Sequence, residues 1–351
     1  MKIDDVLYQK ILQEVEAGYV CVQQHSTLPL RIFNYTKSTQ FEWRWNDATK
    51  ICRGLILDDQ NNIVSRPMEK FFTFEQCQKM GISMPNESFR VYEKLDGSLG
   101  IMYVYEDYVG IATRGSFNSD QAILACELLE KHPDQVHWFG EMIKATEYTF
   151  LFEIVGKDNR IVVPYDDNDL VLVACVDKNG KNIDIDNFWF NWPKKAKRYK
   201  QFEKESFEMM KNVNIENEEG FVVLFESGFR MKIKFENYLE LHRLYCGLSN
   251  RMIWENVSQG KVVEDLDLPD EFMDWAEEVE SDLYEKYYQH LKEIYYQYEK
   301  IPKNLDRKSF AEYAKNTEYP SFMFMMYDGK SIEKGLWNLV YPKESIRFNS
   351  L

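Results

Sequence analysis

Glu93-Lys94-Leu95-Asp96-Gly97-Ser98 joins the strand-like run FRVYEK (89–94) to LGIMYVY (99–105). An Asp-Gly pair between two such runs reads as a tight turn, because glycine takes backbone conformations closed to other residues. The pattern therefore predicts consecutive strands: FRVYEK, LGIMYVY and, past a second turn at Glu106-Asp107, YVGIATR (108–114). A lysine beside such a turn stands where a ligand can reach it. Taken alone, the same pattern also describes an exposed hairpin lysine.

On either side the strand texture continues. Upstream, Val6, Ile11 and Val15 predict a helix within the first 20 residues. LRIFNY (30–35), ICRGLILD (51–58) and IVSRP (63–67) then read as short strands, the last two separated by the polar turn DDQNN. Downstream, residues 119–146 read as two helices broken at Pro133. Strands return as YTFLFEIVG (148–156), DLVLVACVD (169–177), EGFVVLF (219–225) and FRMKIKF (229–235), with a helical or irregular stretch over 184–213. Past Tyr238 the strand patterns cease. Phe272, Trp275, Val279, Leu283, Tyr287, Leu291, Ile294 and Tyr298 form one apolar face of a long helix over 270–300, ended by Pro302. Further helices are expected at 307–317 and 331–339. The expected fold class is α+β: a domain over 1–245 of antiparallel sheets with helices, then an all-helical domain over 246–351.

The 351 residues are 44% hydrophobic and 15% aromatic, richer in both than disordered chains and enough for a buried core. The longest apolar run, Leu170 to Val176, is far short of the roughly 18 residues a membrane-spanning helix needs. The N-terminus carries charges every few residues and no signal-peptide core. Six cysteines, at 21, 52, 77, 126, 175 and 246, form no CxxC pair, which argues against a zinc site or disulfide framework. The expectation is a soluble cytoplasmic protein with reduced thiols and no membrane partner. A net charge of −15, from 43 basic and 58 acidic residues, disfavours a general nucleic-acid coat protein, which needs a basic footprint. It leaves room for a basic cleft within an acidic exterior. From Glu264 to Glu285 there are eleven acidic residues and no Lys or Arg, while Lys194, Lys195, Lys197, Arg198 and Lys200 cluster elsewhere. Both runs read as solvated faces.

Five residues outside the turn change the reading of Lys94. Glu153 sits amid the apolar run FLFEIVG, so it points into a core or a cleft, and an unpaired buried carboxylate is expensive. Glu219-Gly220 opens another strand. Lys232 and Lys234 alternate with Met231, Ile233 and Phe235, so the two-residue period puts both on one face. Arg114-Gly115 ends the strand after Glu106-Asp107. Two lysines on a strand alone would read as a solvated edge. Together with Lys94 and two carboxylates they suggest a cleft for a polyanion and a divalent metal.

In order and spacing, KLDGS, Arg114-Gly115-Ser116, FLFEIVG, EEGFVV and KIK resemble the motifs of covalent nucleotidyltransferases: ATP-dependent RNA and DNA ligases and mRNA capping enzymes. CRGLILD and SRPMEKFF upstream of Lys94, Asn159-Arg160-Ile161-Val162 and Tyr238 are similar to the RNA ligase 1 family, whose best-known member is a tRNA-repair ligase of a T-even phage. The resemblance covers residues 28–245 closely. It implies a nucleotidyltransferase domain with an N-terminal module over 1–80 that orients the ATP phosphates, and ATP and Mg²⁺ (or Mn²⁺) as substrate and cofactor.

The implied reaction has three steps. A lysine takes AMP from ATP, passes it to an RNA 5′-phosphate, and a 3′-hydroxyl then displaces it. The resemblance makes Lys94 the nucleophile. Attack needs a neutral amine, whereas a free lysine has a pKa of about 10.4; nearby cations such as Lys232, Lys234 and a metal would favour the neutral form. The same two lysines would contact the α-phosphate as charge builds on it. Arg53 and Lys70 match positions that hold the β- and γ-phosphates, and Tyr35 one near the ATP. Arg114 stands where the phage enzyme has a lysine. Asp96, Gly97 and Tyr238 are implied in ATP binding. Glu153 would bind the ribose or a metal water, and Glu219 a metal hydration shell, since Mg²⁺ keeps several waters.

The implied partners are RNA with 5′-phosphate and 3′-hydroxyl ends, broken tRNA among them, and an end-healing kinase-phosphatase. Three rivals stand beside this reading. A DNA ligase of the superfamily carries an OB-fold after the last motif, and here that region reads as helical; a capping enzyme is disfavoured for the same reason. A non-catalytic RNA-binding module would be expected to have lost at least one of Lys94, Glu153, Glu219, Lys232 and Lys234. The helical domain is expected either to select structured RNA or to buttress its neighbour.

Overall fold

A computed structural model describes residues 1–159, 161–186, 192–245, 247–266, 268 and 272–342. Arg160, Cys246, and Asp267, Asp270 and Glu271 of the acidic run lie outside the described residues. The chain divides into two compact units, Met1–Tyr245 and Cys246–Leu351.

The first unit begins with α1 (Asp5–Glu16), β1 (Val20–Gln24), β2 (Leu30–Tyr35), α2 (Lys37–Phe41) and α3 (Asp47–Ile51). There follow β3 (Arg53–Asp58), β4 (Ile63–Ser65), β5 (Phe72–Thr73), α4 (Phe74–Lys79) and β6 (Phe89–Lys94). Next come β7 (Ser98–Tyr105), β8 (Tyr108–Thr113), α5 (Asp120–Glu130), α6 (Pro133–Thr146), β9 (Thr149–Val155) and β10 (Asp169–Val176). β11 (Asn182–Ile183), α7 (Phe207–Lys211), β12 (Gly220–Phe225), β13 (Arg230–Lys234) and α8 (Glu236–Tyr245) complete it.

The described strands make three sheets, ordered β1-β2-β3-β4, β11-β10-β9-β7-β8 and β5-β13-β12-β6. Pairing is antiparallel except between β13 and β5. This is the α+β class that the strand runs implied. The expected FRVYEK and LRIFNY strands match β6 and β2 to the residue. ICRGLILD loses its first residue to α3, where Asn46 and Thr49 form a reciprocal cap. The short β1, β5 and β11 were not foreseen: they are two to five residues long and carry little periodic signal.

One expectation is corrected. Asp96-Gly97 is not a hairpin turn. β6 pairs with β12, whereas β7 pairs with β8 and β9 in a different sheet. Leu95-Asp96-Gly97 is a corner between two sheets. Local turn chemistry is the same for a corner and a hairpin, and only the distant partner β12 decides between them. The expected turn at Glu106-Asp107 is a hairpin, with Tyr105 opposite Tyr108 and Glu106 at φ 54°.

Apolar faces close the unit. Val91, Phe221, Val223, Met231 and Ile233 bury one face of the third sheet, and α5 and α6 pack Leu128, Leu129 and Phe139 against Phe150 and Phe152 of the second. Full burial of each such side chain contributes roughly 1.5–3 kcal/mol. Leu30, Ile32 and Ile56 of the first sheet meet Ile101, Tyr103 and Leu151 of the second. This contact fixes the N-terminal residues against the strands that bear the motifs.

The described part of the second unit has no strand. It contains α9 (Asn250–Val257), α10 (Met273–Glu299), α11 (Arg307–Ala314), α12 (Pro320–Tyr327) and α13 (Glu333–Leu339). α10 is the expected long helix. It puts Ala276 and Leu283 into one core with Trp337, and Ile294 into a second with Phe310 and Phe322. The five described cysteines are free. Among the described residues no helix is long and apolar enough to cross a membrane.

Candidate active site

Lys94, Gly220 and Lys234 lie in register across β6, β12 and β13. The next rows are Tyr92, Val222 and Lys232, then Arg90, Leu224 and Arg230. Residues in register point to one face, so β13 presents Arg230, Lys232 and Lys234 beside Lys94 while its alternate residues enter the core. Gly220 is required. Its φ is +154°, and a Cβ there would lie 2.1 Å from the Ile233 carbonyl oxygen. Any side chain would push β13 away and part the lysines.

Glu219, just before this glycine, bridges the two lysines. Lys94 Nζ donates to Oε2 at 2.5 Å, and Lys234 Nζ pairs with Oε1 at 2.8 Å. The carboxylate is 3% exposed. Burial alone would raise its pKa, but Lys234 and Lys94 outweigh burial and hold it below the usual carboxylate range. The sequence reading had Lys232 and Lys234 facing Lys94 as bare cations; the structure interposes a carboxylate.

Gly97 brings in the second carboxylate. A Cβ on it would lie 2.3 Å from the carbonyl oxygen of Ile154, so only glycine lets the corner rest on β9. That contact sets Lys94 within electrostatic reach of Glu153. Burial pushes the Glu153 pKa up to about 7; Lys94 and Arg53 oppose the rise, and Glu219 and Asp96 add to it.

Asp96 has a structural task in the corner. It is 1% exposed. Its Oδ2 accepts from the backbone N–H groups of Val162 and Val163 at 2.7 and 2.8 Å, and its Oδ1 from the Tyr238 hydroxyl at 2.7 Å. Its own N–H donates to the Tyr165 hydroxyl at 3.0 Å. Both carboxylate oxygens are thus used inside the protein. Asp96 and Tyr238 pin the corner to the 162–163 segment and to α8. Tyr165 was missed, since nothing in its local sequence marks it.

The N-terminal residues gather around Tyr35. The Arg114 Nη1 donates to the Tyr35 hydroxyl at 2.5 Å, and its guanidinium lies 4.8 Å from the ring centre. Lys70, 9% exposed, has its Nζ 4.9 Å from the Trp45 ring, 5.3 Å from Tyr35 and 5.8 Å from Phe72. Arg53 opens β3 with its guanidinium 5.3 Å from the Phe71 ring. Its Nη1 is buried without a hydrogen-bond partner, and burial holds its pKa below the usual arginine value.

The Lys194–Lys200 cluster takes no part. Lys194 pairs with Asp169 at 2.5 Å, Lys197 with Glu218 at 3.7 Å, and Arg198 with Asp186 and Glu203 at 2.9 and 2.6 Å. The sequence reading missed Arg230. Its signal was the same two-residue period that picked out Lys232 and Lys234.

The sequence profile of the RNA ligase family matches residues 51–239. A protein of Autographa californica nuclear polyhedrosis virus, named by inference a bifunctional polynucleotide kinase/RNA ligase, is 30% identical over 55% of this chain and 30% of its own length. The chain thus spans under a third of that viral relative. An RNA ligase of Rhodothermus phage RM378 is 24% identical over 69% of this chain and 70% of the phage protein. Among solved structures, a protein of Aquifex aeolicus described by inference as an ATP-dependent DNA ligase aligns over 92% of this chain and 99% of its own, at 15% identity and a TM-score of 0.47. That likeness is too loose to bear on the chemistry.

Proposed function

The chain belongs to the RNA ligase family, and from that membership we propose that it is an ATP-dependent RNA ligase joining 5′-phosphate and 3′-hydroxyl ends. The observation that carries the proposal is the row Lys94, Glu219, Lys234, with Glu153 on the neighbouring sheet.

In the first step the neutral Lys94 amine attacks the ATP α-phosphorus. An N–P bond forms, the bond from that phosphorus to the bridging oxygen breaks, and pyrophosphate leaves with the electron pair. Lys234 and Lys232 receive the negative charge that builds on the α-phosphate oxygens, because fixed cations in a partly buried site stabilise developing charge. For Lys94 and Lys234 to turn to the phosphate, each must exchange its Glu219 oxygen for a phosphate oxygen. In the second step an RNA 5′-phosphate oxygen attacks the same phosphorus and Lys94 departs. In the third the 3′-hydroxyl attacks the RNA phosphorus and AMP departs.

The donor set bears on the metal. Among the described residues no group of three His, Cys, Asp or Glu side chains gathers as a direct cage. Glu153 of the second sheet and Glu219 at the start of β12 in the third are two carboxylates within electrostatic reach of each other, which suits a hydrated Mg²⁺ or Mn²⁺ held mostly through waters. When bound it would supply positive charge at the phosphates. Arg53, Lys70 and Arg114 we place on the β- and γ-phosphates, with Tyr35 orienting Arg114. RNA repair, with broken tRNA among the substrates and a kinase-phosphatase preparing the ends, fits this chemistry.

The test is incubation with α-labelled ATP and Mg²⁺ without RNA, then a denaturing gel. A labelled protein band is expected, and its absence would overturn the reading in favour of a non-catalytic RNA-binding role. Competition by GTP would point instead to a capping enzyme, and sealing of DNA ends in preference to RNA to a DNA ligase. For residues 246–351 we propose selection among RNA shapes: truncation after Tyr245 should leave adenylylation intact and abolish preference for a stem-loop over a simple strand.

A further inference from the structure

Arg230 is the one cation on the Lys94 face of β13 that the family motifs leave unused. It lies two rows from Lys234, its guanidinium reaches Met68 Sδ at 2.9 Å, and it donates to Asn182 Oδ1. Arg53 is held by the same stretch of chain, over Phe71. Residues 68–71 thus carry one guanidinium at each end, with Lys70 between them. Among the described residues neither arginine has a carboxylate in direct ion-pair contact, and Glu153 is only within electrostatic reach of Arg53. Leaving a buried guanidinium without its counter-ion is strongly unfavourable. Arg230 shows the strain: burial first, and then the Arg53 charge, push its pKa down to about 10. Two half-buried guanidiniums held by one short stretch of chain favour an anion between them, and the buried, unpartnered Arg53 Nη1 is a donor ready for it.

We propose that Arg230 and Arg53 together form a fork for the pyrophosphate end of ATP, with Arg230 binding the leaving group. The inference rests on the ligase reading and adds a residue to it. Three features select this anion. Arg230 shares its strand face with Lys232 and Lys234, so a chain of phosphates starting at Lys94 meets Lys234, Lys232 and Arg230 in order. Two guanidiniums offer several coplanar N–H donors, matched to adjacent phosphate oxygens. The pair is half-buried at the foot of the Lys94 face, where an inorganic fragment fits more readily than a polynucleotide.

The test uses the full-length protein and the variants Arg230→Met and Arg230→Lys, with folding checked by thermal unfolding. Three rates are measured: labelling by ATP, discharge of preformed enzyme-AMP by added pyrophosphate, and sealing of pre-adenylylated RNA without ATP. Arg230→Met should slow labelling and raise the pyrophosphate needed for half-discharge, each by about tenfold or more, as expected for losing a charged hydrogen bond to phosphate. Sealing of pre-adenylylated RNA should stay within about threefold, since that step involves no pyrophosphate. Arg230→Lys keeps the charge and loses the fork, so it should show the same pattern more weakly; it decides the matter if the Met variant does not fold. Wild-type pyrophosphate dependence in a folded variant overturns the inference, and so does sealing that falls as far as labelling. Failure of the wild-type protein to label at all instead overturns the ligase reading.

Discussion

Two groups of cations meet in the first unit, and they are kept charged by different means. On the third sheet, Lys94 and Lys234 share the Glu219 carboxylate at 2.5 and 2.8 Å. Around the N-terminal module, Arg114 lies against Tyr35 and donates to its hydroxyl, Arg53 lies over Phe71 with Glu153 in electrostatic reach, and the Lys70 ammonium lies near the rings of Trp45, Tyr35 and Phe72. Ring faces attract a cation without cancelling its charge. The two sheet lysines thus share one carboxylate until substrate displaces Glu219, whereas aromatic rings line the cations of the module. The first arrangement suits groups that act on the α-phosphate in every step. The second suits groups that act only on an anion which arrives and leaves.

The sharpest way to break this contrast is at its centre. Lys94→Ala and Lys94→Arg should each abolish labelled enzyme-AMP on a denaturing gel, the second because a guanidinium stays protonated. Both should fold, since a partly exposed lysine contributes little to a core. Residual labelling by the alanine variant would move the nucleophile elsewhere. Lys234→Ala should lower both ATP labelling and sealing of pre-adenylylated RNA, by about 10²–10³ if its role is that of a charge-stabilising donor. Arg53→Ala and Lys70→Ala should lower labelling by about tenfold or more while sparing the sealing assay. Equal damage in both assays would erase the division between the two groups.

Smaller effects sharpen the comparison. Tyr238→Phe removes one hydrogen bond from the buried Asp96 carboxylate and should cost about 1.5–3 kcal/mol in urea unfolding, as hydrogen bonds to charged groups do. Another effect concerns pH. Glu153 has an ordinary carboxylate pKa of 4.5 when unfolded and about 7 when folded. Below 4.5 it is protonated in both states and carries no penalty. Between 4.5 and about 7 the unfolded chain releases a proton that the folded chain keeps, so stability falls as pH rises. Glu153→Gln should therefore gain stability relative to the parent over that window in chelator-treated protein. A difference that stays flat from pH 4 to pH 8, in urea titrations at about half-unit steps, would contradict the raised pKa.

The sequence alone determined the longer strands, the α+β class, and which residues carry charge on which face. A two-residue period is enough to place Lys232 and Lys234 together, because side-chain direction along a strand is a local property. It would equally have yielded Arg230. Lys94, Glu153 and Glu219 were legible because charged residues at strand ends or within apolar runs need an explanation that packing does not provide. Only the tertiary structure decided how these residues meet. The Asp96-Gly97 corner looks like a hairpin until β12 claims β6. That Val162, Val163 and Tyr238 bond to the Asp96 oxygens is also invisible locally. Arg53 and Arg230 are 177 positions apart (230 minus 53), and nothing local announces their pairing. Partners that distant are chosen by the closing of whole sheets against one another, since burial and backbone pairing over many residues outweigh any single turn or charge.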